Sequence, residues 1–139
     1  MGPMNKEKLI EVARTARENA YCPYSRFMVG AAVLGENGKV YTGCNIENAS
    51  YGVTVCAERV AIFAMVVDGC RKFEALAVVG GGEEDGAPCM ICRQVMTEFC
   101  KDFDVPVYVG GPTKVYEHSV KEICPLPFVS FKENEDYHR

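Results

Sequence analysis

No run of apolar residues in this sequence is long enough to cross a bilayer, and no secretory leader is recognisable. Membrane attachment and export are therefore not expected, and the cytoplasm is the expected compartment. Positive charge is also in short supply: 15 Lys and Arg against 19 Asp and Glu leave a net charge of −4, with no basic stripe. A nucleic-acid partner is excluded on that ground, because binders of polyanions concentrate Lys and Arg on one face. There are 2 histidines, His118 and His138, and neither stands at zinc-ligand spacing from a cysteine. Internal repeats are missing. So is a disulfide framework, although the chain has 8 cysteines. Once Cys56, Cys89 and Cys92 are set aside, Cys22, Cys44, Cys70, Cys100 and Cys124 form an odd remainder without framework spacing, which suits a reducing compartment. A chain of 139 residues is long enough for one domain with its own core. Residues 1–139 are read as that domain, with Met1-Gly2-Pro3 as an expression scar and residues 133–139 as a solvated tail.

What the sequence does have is concentrated in two short pieces, Cys56-Ala57-Glu58 and Pro88-Cys89-Met90-Ile91-Cys92. Each is expected to open a helix. Val60, Ala61, Ala64 and Met65 follow the first at helical spacing, and Val95, Met96 and Phe99 follow the second. Cys89 and Cys92 are one helical turn apart, so their sulfurs share a side. With Cys56 they make three thiolate ligands, which leave one tetrahedral position of a zinc ion open, the mark of a catalytic site. Glu58 then supplies a nearby carboxylate to move the proton of a water. A lone Cys-x-x-Cys suits a redox pair or half of a structural zinc knot equally well. A redox pair, however, explains neither Cys56 nor Glu58, and a knot wants a fourth ligand. The order Cys-x-Glu, then Pro-Cys-x-x-Cys, is the signature of zinc-dependent nucleobase deaminases in its all-cysteine version.

Along the chain, Leu9, Val12, Ala13, Ala16 and Ala20 fall on one face of a helix over Asn5–Ala20, ended by Pro23. Phe27–Leu34 and Lys39–Asn45 are expected strands joined by a hairpin turn at Glu36-Asn37-Gly38. Helix, strand and helix follow at Cys56–Val67, Phe73–Val79 and Met90–Cys100. Strands at Val105–Val109 and Lys114–Glu117, with a turn at Gly110-Gly111-Pro112 between them, lead to a last helical turn at Ser119–Ile123. Strands alternating with helices after a hairpin imply an α/β fold, a mixed sheet with helices on both faces. The metal is expected near the carboxyl ends of its central strands.

The sequence resembles the cytidine deaminases, in particular their short, homotetrameric, all-cysteine zinc branch. The resemblance runs from the first helix to Phe128. It is carried by Pro23-Tyr24-Ser25-Arg26-Phe27, by Gly43-Cys44-Asn45-Ile46-Glu47-Asn48-Ala49-Ser50-Tyr51-Gly52, by Cys56-Ala57-Glu58-Arg59, and by Pro88-Cys89-Met90-Ile91-Cys92-Arg93-Gln94. It implies a three-layer α-β-α sandwich around a five-stranded mixed sheet, and hydrolysis of cytidine or deoxycytidine to the uridine product and ammonia. It also implies one Zn²⁺ per chain on Cys56, Cys89 and Cys92, with Glu58 as proton shuttle. By the same matching, Phe27 packs on the pyrimidine, Asn45 and Glu47 meet the ribose 3′-hydroxyl, and the backbone of Ala57 faces the amide edge of the base. Ala49, Tyr51 and Phe128 reach a neighbouring subunit's site, so the partners implied are a pyrimidine nucleoside and three further copies of the chain.

Arg59 stands three residues after Cys56 and is expected to donate to the thiolates from outside the ligand set. Its alternative is a surface arginine paired with an acid. Unaided by the resemblance, Asn45 reads equally as a turn former, Glu47 as a solvated charge, Phe27 as a core aromatic and Phe128 as a tail anchor. The chain departs from the family's common pattern at Met90 and Ile91, in the Gly80–Pro88 loop and at Ile123-Cys124-Pro125-Leu126-Pro127. Three alternatives to cytidine deamination stay open at this point: deamination of an N4-substituted cytidine, deamination of a blasticidin-like nucleoside, and a structural zinc-binding module.

Overall fold

The computed structural model describes residues 4–81 and 87–129, so Met1–Pro3, His138, the 133–139 tail and the middle of the Gly80–Pro88 loop lie outside the described residues. Its first helix, α1, runs Lys6–Arg17. Asn5 caps it, with its side chain accepting from the Lys8 N–H at 2.9 Å, while Glu7 in the first turn and Arg14 and Arg17 in the last turn complement the helix dipole. The helix is shorter than the expected Asn5–Ala20, because Asn19 and Ala20 turn back with N–H bonds to Ala16 and Arg17 carbonyls. Its buried face is Leu9, Ile10 and Ala13, so Ile10 joins it whereas Ala16 and Ala20 are only half-buried.

Two strands, β1 (Val29–Gly35) and β2 (Val40–Cys44), form an antiparallel hairpin with Gly30 opposite Cys44 and Leu34 opposite Val40. Gly38 has φ +84° in the turn, a conformation glycine adopts without strain. The expected strand start at Phe27 is corrected to Val29. The Asn45 side chain takes the Phe27 carbonyl and the Val29 N–H, so Phe27 is held by a side chain rather than by a neighbouring strand.

Next come α2 (Ala57–Val67), β3 (Phe73–Gly80), α3 (Met90–Phe99), β4 (Pro106–Gly110), β5 (Val115–Ser119) and α4 (Val120–Ile123). A single turn of 3₁₀ helix at Tyr51–Val53 was not expected. The last strand is shifted from Lys114–Glu117 to Val115–Ser119, in register with β4 from Pro106–Ser119 to Gly110–Val115. The sheet order is β2-β1-β3-β4-β5, parallel only between β3 and β4.

The two faces of the sheet have different covers. Leu9, Ile10 and Ala13 of α1 pack on Ala32, Ala75, Ala77 and Val79. On the opposite face, α2, α3 and α4 contribute Ile62, Met65, Met96 and Val120 against Ala31, Val33, Leu76 and Val78. From Ala75 to Gly80, strand β3 therefore reads as one apolar run, as a strand covered on both faces must. This is the expected three-layer α-β-α sandwich with a five-stranded mixed sheet.

Gly43 sets the seat of α2. A Cβ there would lie 2.3 Å from the Ala57 carbonyl oxygen and 2.5 Å from the Ala61 nitrogen. The helix carrying Cys56, Ala57 and Glu58 at its start is thus pressed against β2 at a point that only glycine permits. Gly43→Ala is expected to cost about 2–3 kcal/mol of stability, because backbone must shift to relieve the overlap. A denaturant midpoint equal to the parent's would show that α2 can back away freely.

Candidate active site

Two helix starts meet at the site. Cys56 is the N-cap of α2, and Cys89 is the N-cap of α3, where its sulfur accepts from the Cys92 N–H at 3.4 Å. Both helices therefore direct the positive ends of their dipoles at the same spot. The sulfurs of Cys56, Cys89 and Cys92 all lie within 4.8 Å of one another, and those of Cys56 and Cys89 are 3.7 Å apart. Two thiolates on one tetrahedral zinc, each at about 2.3 Å, stand about 3.8 Å apart, so the spacing fits that ion. The donor set fits as well: three soft sulfurs suit zinc, and His118, the one histidine among the described residues, does not belong to the group. All 8 cysteines are free of disulfides.

Electrostatics prepares these sulfurs. The Cys92 thiol donates to Cys56 and the Arg59 guanidinium lies beside it. Together they pull the Cys56 thiol down to about 5 against the opposing effect of burial. Cys92 is pushed up in turn, by its bond to Cys56 and by its burial. Arg59 Nη2 sits 3.6 Å from Cys56 Sγ and 3.3 Å from the Thr54 carbonyl oxygen. It touches the thiolate it was expected to reach, and no salt bridge joins it to an acid among the described residues.

Glu58 is in the first turn of α2 and only 3% exposed. Burial pushes its carboxyl up to about 7, and the Cys56 charge adds to that push while its own backbone N–H opposes it. It is close to the sulfurs but stands outside the three-thiol group.

A cavity of about 280 Å³ opens over this centre. Cys56, Ala57, Glu58 and Cys89 line it, as do Phe27, Asn45 and Glu47, together with Ser25, Val29, Thr54 and Ala87. Seven of the residues singled out in the sequence thus face one space. Cys92 is fully buried beneath it, and Arg59 lies behind Cys56. Ala49, Tyr51 and Phe128 do not line this cavity. Ala49 is exposed, Tyr51 is 83% exposed and Phe128 is 58% exposed, with both backbone groups of Phe128 bonded to the Gln94 side chain.

The walls are held by hydrogen bonds. Asn45 Nδ2 donates to the Phe27 carbonyl at 2.7 Å and Asn45 Oδ1 accepts from Val29 N–H at 2.9 Å. Glu47 Oε1 accepts the N–H groups of Tyr24 and Ser25 at 3.0 and 3.1 Å, and Glu47 Oε2 accepts the Ser25 hydroxyl. These bonds, the Ser25 hydroxyl foremost, hold the Glu47 carboxyl below the usual range. Ser25 was missing from the expected site residues. Its only local signal was a Ser in a Pro-Tyr-Ser turn, and its partner is 22 residues away. A second cavity, of about 390 Å³ beside Arg93, His118 and Glu122, is larger, but no thiol group of the metal centre lines it.

Comparison with known proteins agrees with this chemistry. Residues 3–108 match the family model described as the cytidine and deoxycytidylate deaminase zinc-binding region. A cytidine deaminase of Sporosarcina psychrophila is 56% identical over 126 residues, covering 90% of this chain and 92% of that protein. One from Halalkalibacterium halodurans is 47% identical over 133 residues, covering 95% of this chain and all of its own. The crystal structure of cytidine deaminase from Burkholderia pseudomallei superposes with a TM-score of 0.85 at 45% identity, covering 90% of this chain and 100% of that one. The family match runs through Cys56, Glu58, Cys89 and Cys92 alike, and the chain belongs to the cytidine and deoxycytidylate deaminase family.

Proposed function

We propose that this chain hydrolyses cytidine and deoxycytidine to uridine and deoxyuridine, with release of ammonia. The observation that carries the reading is one cavity lined by Cys56 and Cys89 of the three-thiol group, by the buried Glu58 carboxyl, and by Phe27, Asn45 and Glu47. Phe27 packs on the pyrimidine ring, the Ala57 backbone faces its amide edge, and Asn45 and Glu47 hold the 3′-hydroxyl. Cys56, Cys89 and Cys92 would hold one zinc ion per chain, which would supply the Lewis acidity that makes a water nucleophilic near neutral pH.

Glu58 moves the protons. Its carboxylate takes one from the attacking water and passes it to ring nitrogen 3 as the bond from oxygen to carbon 4 forms. It then takes the proton of the new hydroxyl and delivers it to the exocyclic amine. The bond from carbon 4 to that nitrogen breaks, the oxygen becomes the carbonyl of uridine, and ammonia leaves. A carboxylate serving all these transfers must reach both water and base without binding metal, which fits a buried position beside Cys56. Arg59 draws negative charge off Cys56, easing the damping effect of three thiolates on the metal's acidity.

Exposed Ala49, Tyr51 and Phe128 complete the pocket of a neighbouring copy, which makes the working unit a homotetramer. The setting is pyrimidine salvage in the cytoplasm, and the absence of disulfides suits that compartment. No helix among the described residues is long and apolar enough to cross a membrane.

The test is a panel of cytosine, cytidine, deoxycytidine, an N4-substituted cytidine and blasticidin S, followed by ultraviolet absorbance, with sedimentation of the same sample. Turnover of the two unmodified nucleosides by a four-chain species is expected. Preference for a modified compound would move the substrate assignment, and full activity in a one-chain species would remove the neighbour's role.

A further inference from the structure

The geometry points to Ser25 as a positioning residue that ties the base wall of the pocket to its sugar wall. The inference rests on the reading of Phe27 and Glu47 as substrate contacts. An ionised carboxylate offers about four acceptor positions, two on each oxygen. Glu47 Oε1 receives two donors, the Tyr24 and Ser25 N–H groups. On Oε2 the Ser25 hydroxyl takes one position, which leaves the other to a substrate hydroxyl. Ser25 therefore fixes which way the open acceptor of Glu47 points.

The same oxygen has a second task. Ser25 Oγ accepts the Phe27 N–H at 3.0 Å, so its one proton is free to go to Glu47. Phe27 is thereby held at both backbone groups, its N–H by Ser25 and its carbonyl by Asn45. The segment between them is a tight turn, closed by the Arg26 N–H on the Cys22 carbonyl at 2.8 Å, with Arg26 at φ +57°. A non-glycine residue keeps that left-handed conformation only where its surroundings impose it. Here the two Glu47 oxygens and the Ser25 hydroxyl do so. A single hydroxyl thus orients the aromatic on one wall and the carboxylate on the other. Its loss should loosen chiefly the grip on the sugar, because Phe27 keeps its bond to Asn45, and should not touch the proton shuttle at Glu58.

Steady-state kinetics of the full-length, zinc-loaded protein on cytidine and on 3′-deoxycytidine separate the possibilities. Three variants are compared with the parent: Ser25→Ala, Ser25→Thr and Glu47→Ala. For Ser25→Ala, KM for cytidine should rise about tenfold, KM for 3′-deoxycytidine less than about threefold, and kcat should stay within about threefold on both. Ser25→Thr keeps the hydroxyl and should restore the parent KM. Glu47→Ala should erase the preference for the substrate that bears the 3′-hydroxyl. If Glu47→Ala behaves so while Ser25→Ala leaves KM for cytidine unchanged, or raises both KM values equally, the role given to Ser25 is wrong and the sugar-wall reading stands. If Glu47→Ala weakens both substrates alike, the sugar-wall reading falls and the inference falls with it.

Discussion

Glu58→Gln is expected to bind zinc as the parent does, fold as the parent does, and lose about four orders of magnitude in kcat. The change is nearly isosteric and removes no metal ligand, since the group that can hold the ion is Cys56, Cys89 and Cys92. A glutamine amide cannot accept the water's proton and return it to ring nitrogen 3 and the amine, so every transfer assigned to this position fails at once. Stability should not fall. Glu58 is 3% exposed, and burial already disfavours its charged form, so a neutral side chain of the same shape relieves a desolvation cost. Zinc content, a thermal melt and kcat on one preparation give the answer. Turnover within about tenfold of the parent would remove Glu58 from the shuttle role, whatever the other two measurements read.

The second large effect is on the metal itself. Replacing Cys92 by Ala is expected to lower zinc from about one ion per chain to a small fraction, with activity falling in step. Two thiolates remain, Cys56 and Cys89, 3.7 Å apart, but they cannot close a three-ligand site. Cys92 is fully buried on the core-facing side of α3, so the substitution also leaves a small void. Cys89→Ala should give the same loss of zinc and activity by a different route, because it also strips α3 of its N-cap, in which the Cys89 sulfur accepts the Cys92 N–H. Metal analysis on dialysed protein, paired with activity, tests both. An inactive Cys92→Ala chain that keeps a full complement of zinc would show that the third ligand lies elsewhere.

What could be read in advance follows the range of each interaction. The metal group was legible because Cys89 and Cys92 are local, and because Cys56 and Glu58 repeat the same logic at a second helix start. The hairpin was legible because Asn37 and Gly38 make a turn on their own terms. The start of β1 was not, since it depends on the Asn45 side chain reaching back across 16 and 18 residues to the backbones of Val29 and Phe27. The seat of α2 on Gly43 is a contact between backbones, and no periodicity in the sequence announces it. The turn of 3₁₀ helix at Tyr51–Val53 follows a polar run with no hydrophobic pattern to mark it, and none of its three residues is buried. Ser25 escaped for the same reason as the start of β1: its importance lies in a carboxylate far along the chain.

The strand order carries a consequence for how the protein is made. Along the chain Cys56 comes before and Cys89 after β3, the central strand, which pairs with β1 from the amino-terminal hairpin and with β4 beyond α3. During synthesis the first thiol emerges long before the other two, and it has no partner until β3 has docked on β1 and α3 has begun to form. Such pairing between distant parts of a chain is slow compared with forming a helix. Zinc capture by all three thiols together is therefore expected to follow the docking of β3 on β1. A cell short of zinc would accumulate chains with the sheet complete and three neighbouring thiols unoccupied, one of them already inclined to ionise. Such chains would be exposed to oxidation for as long as the metal was scarce.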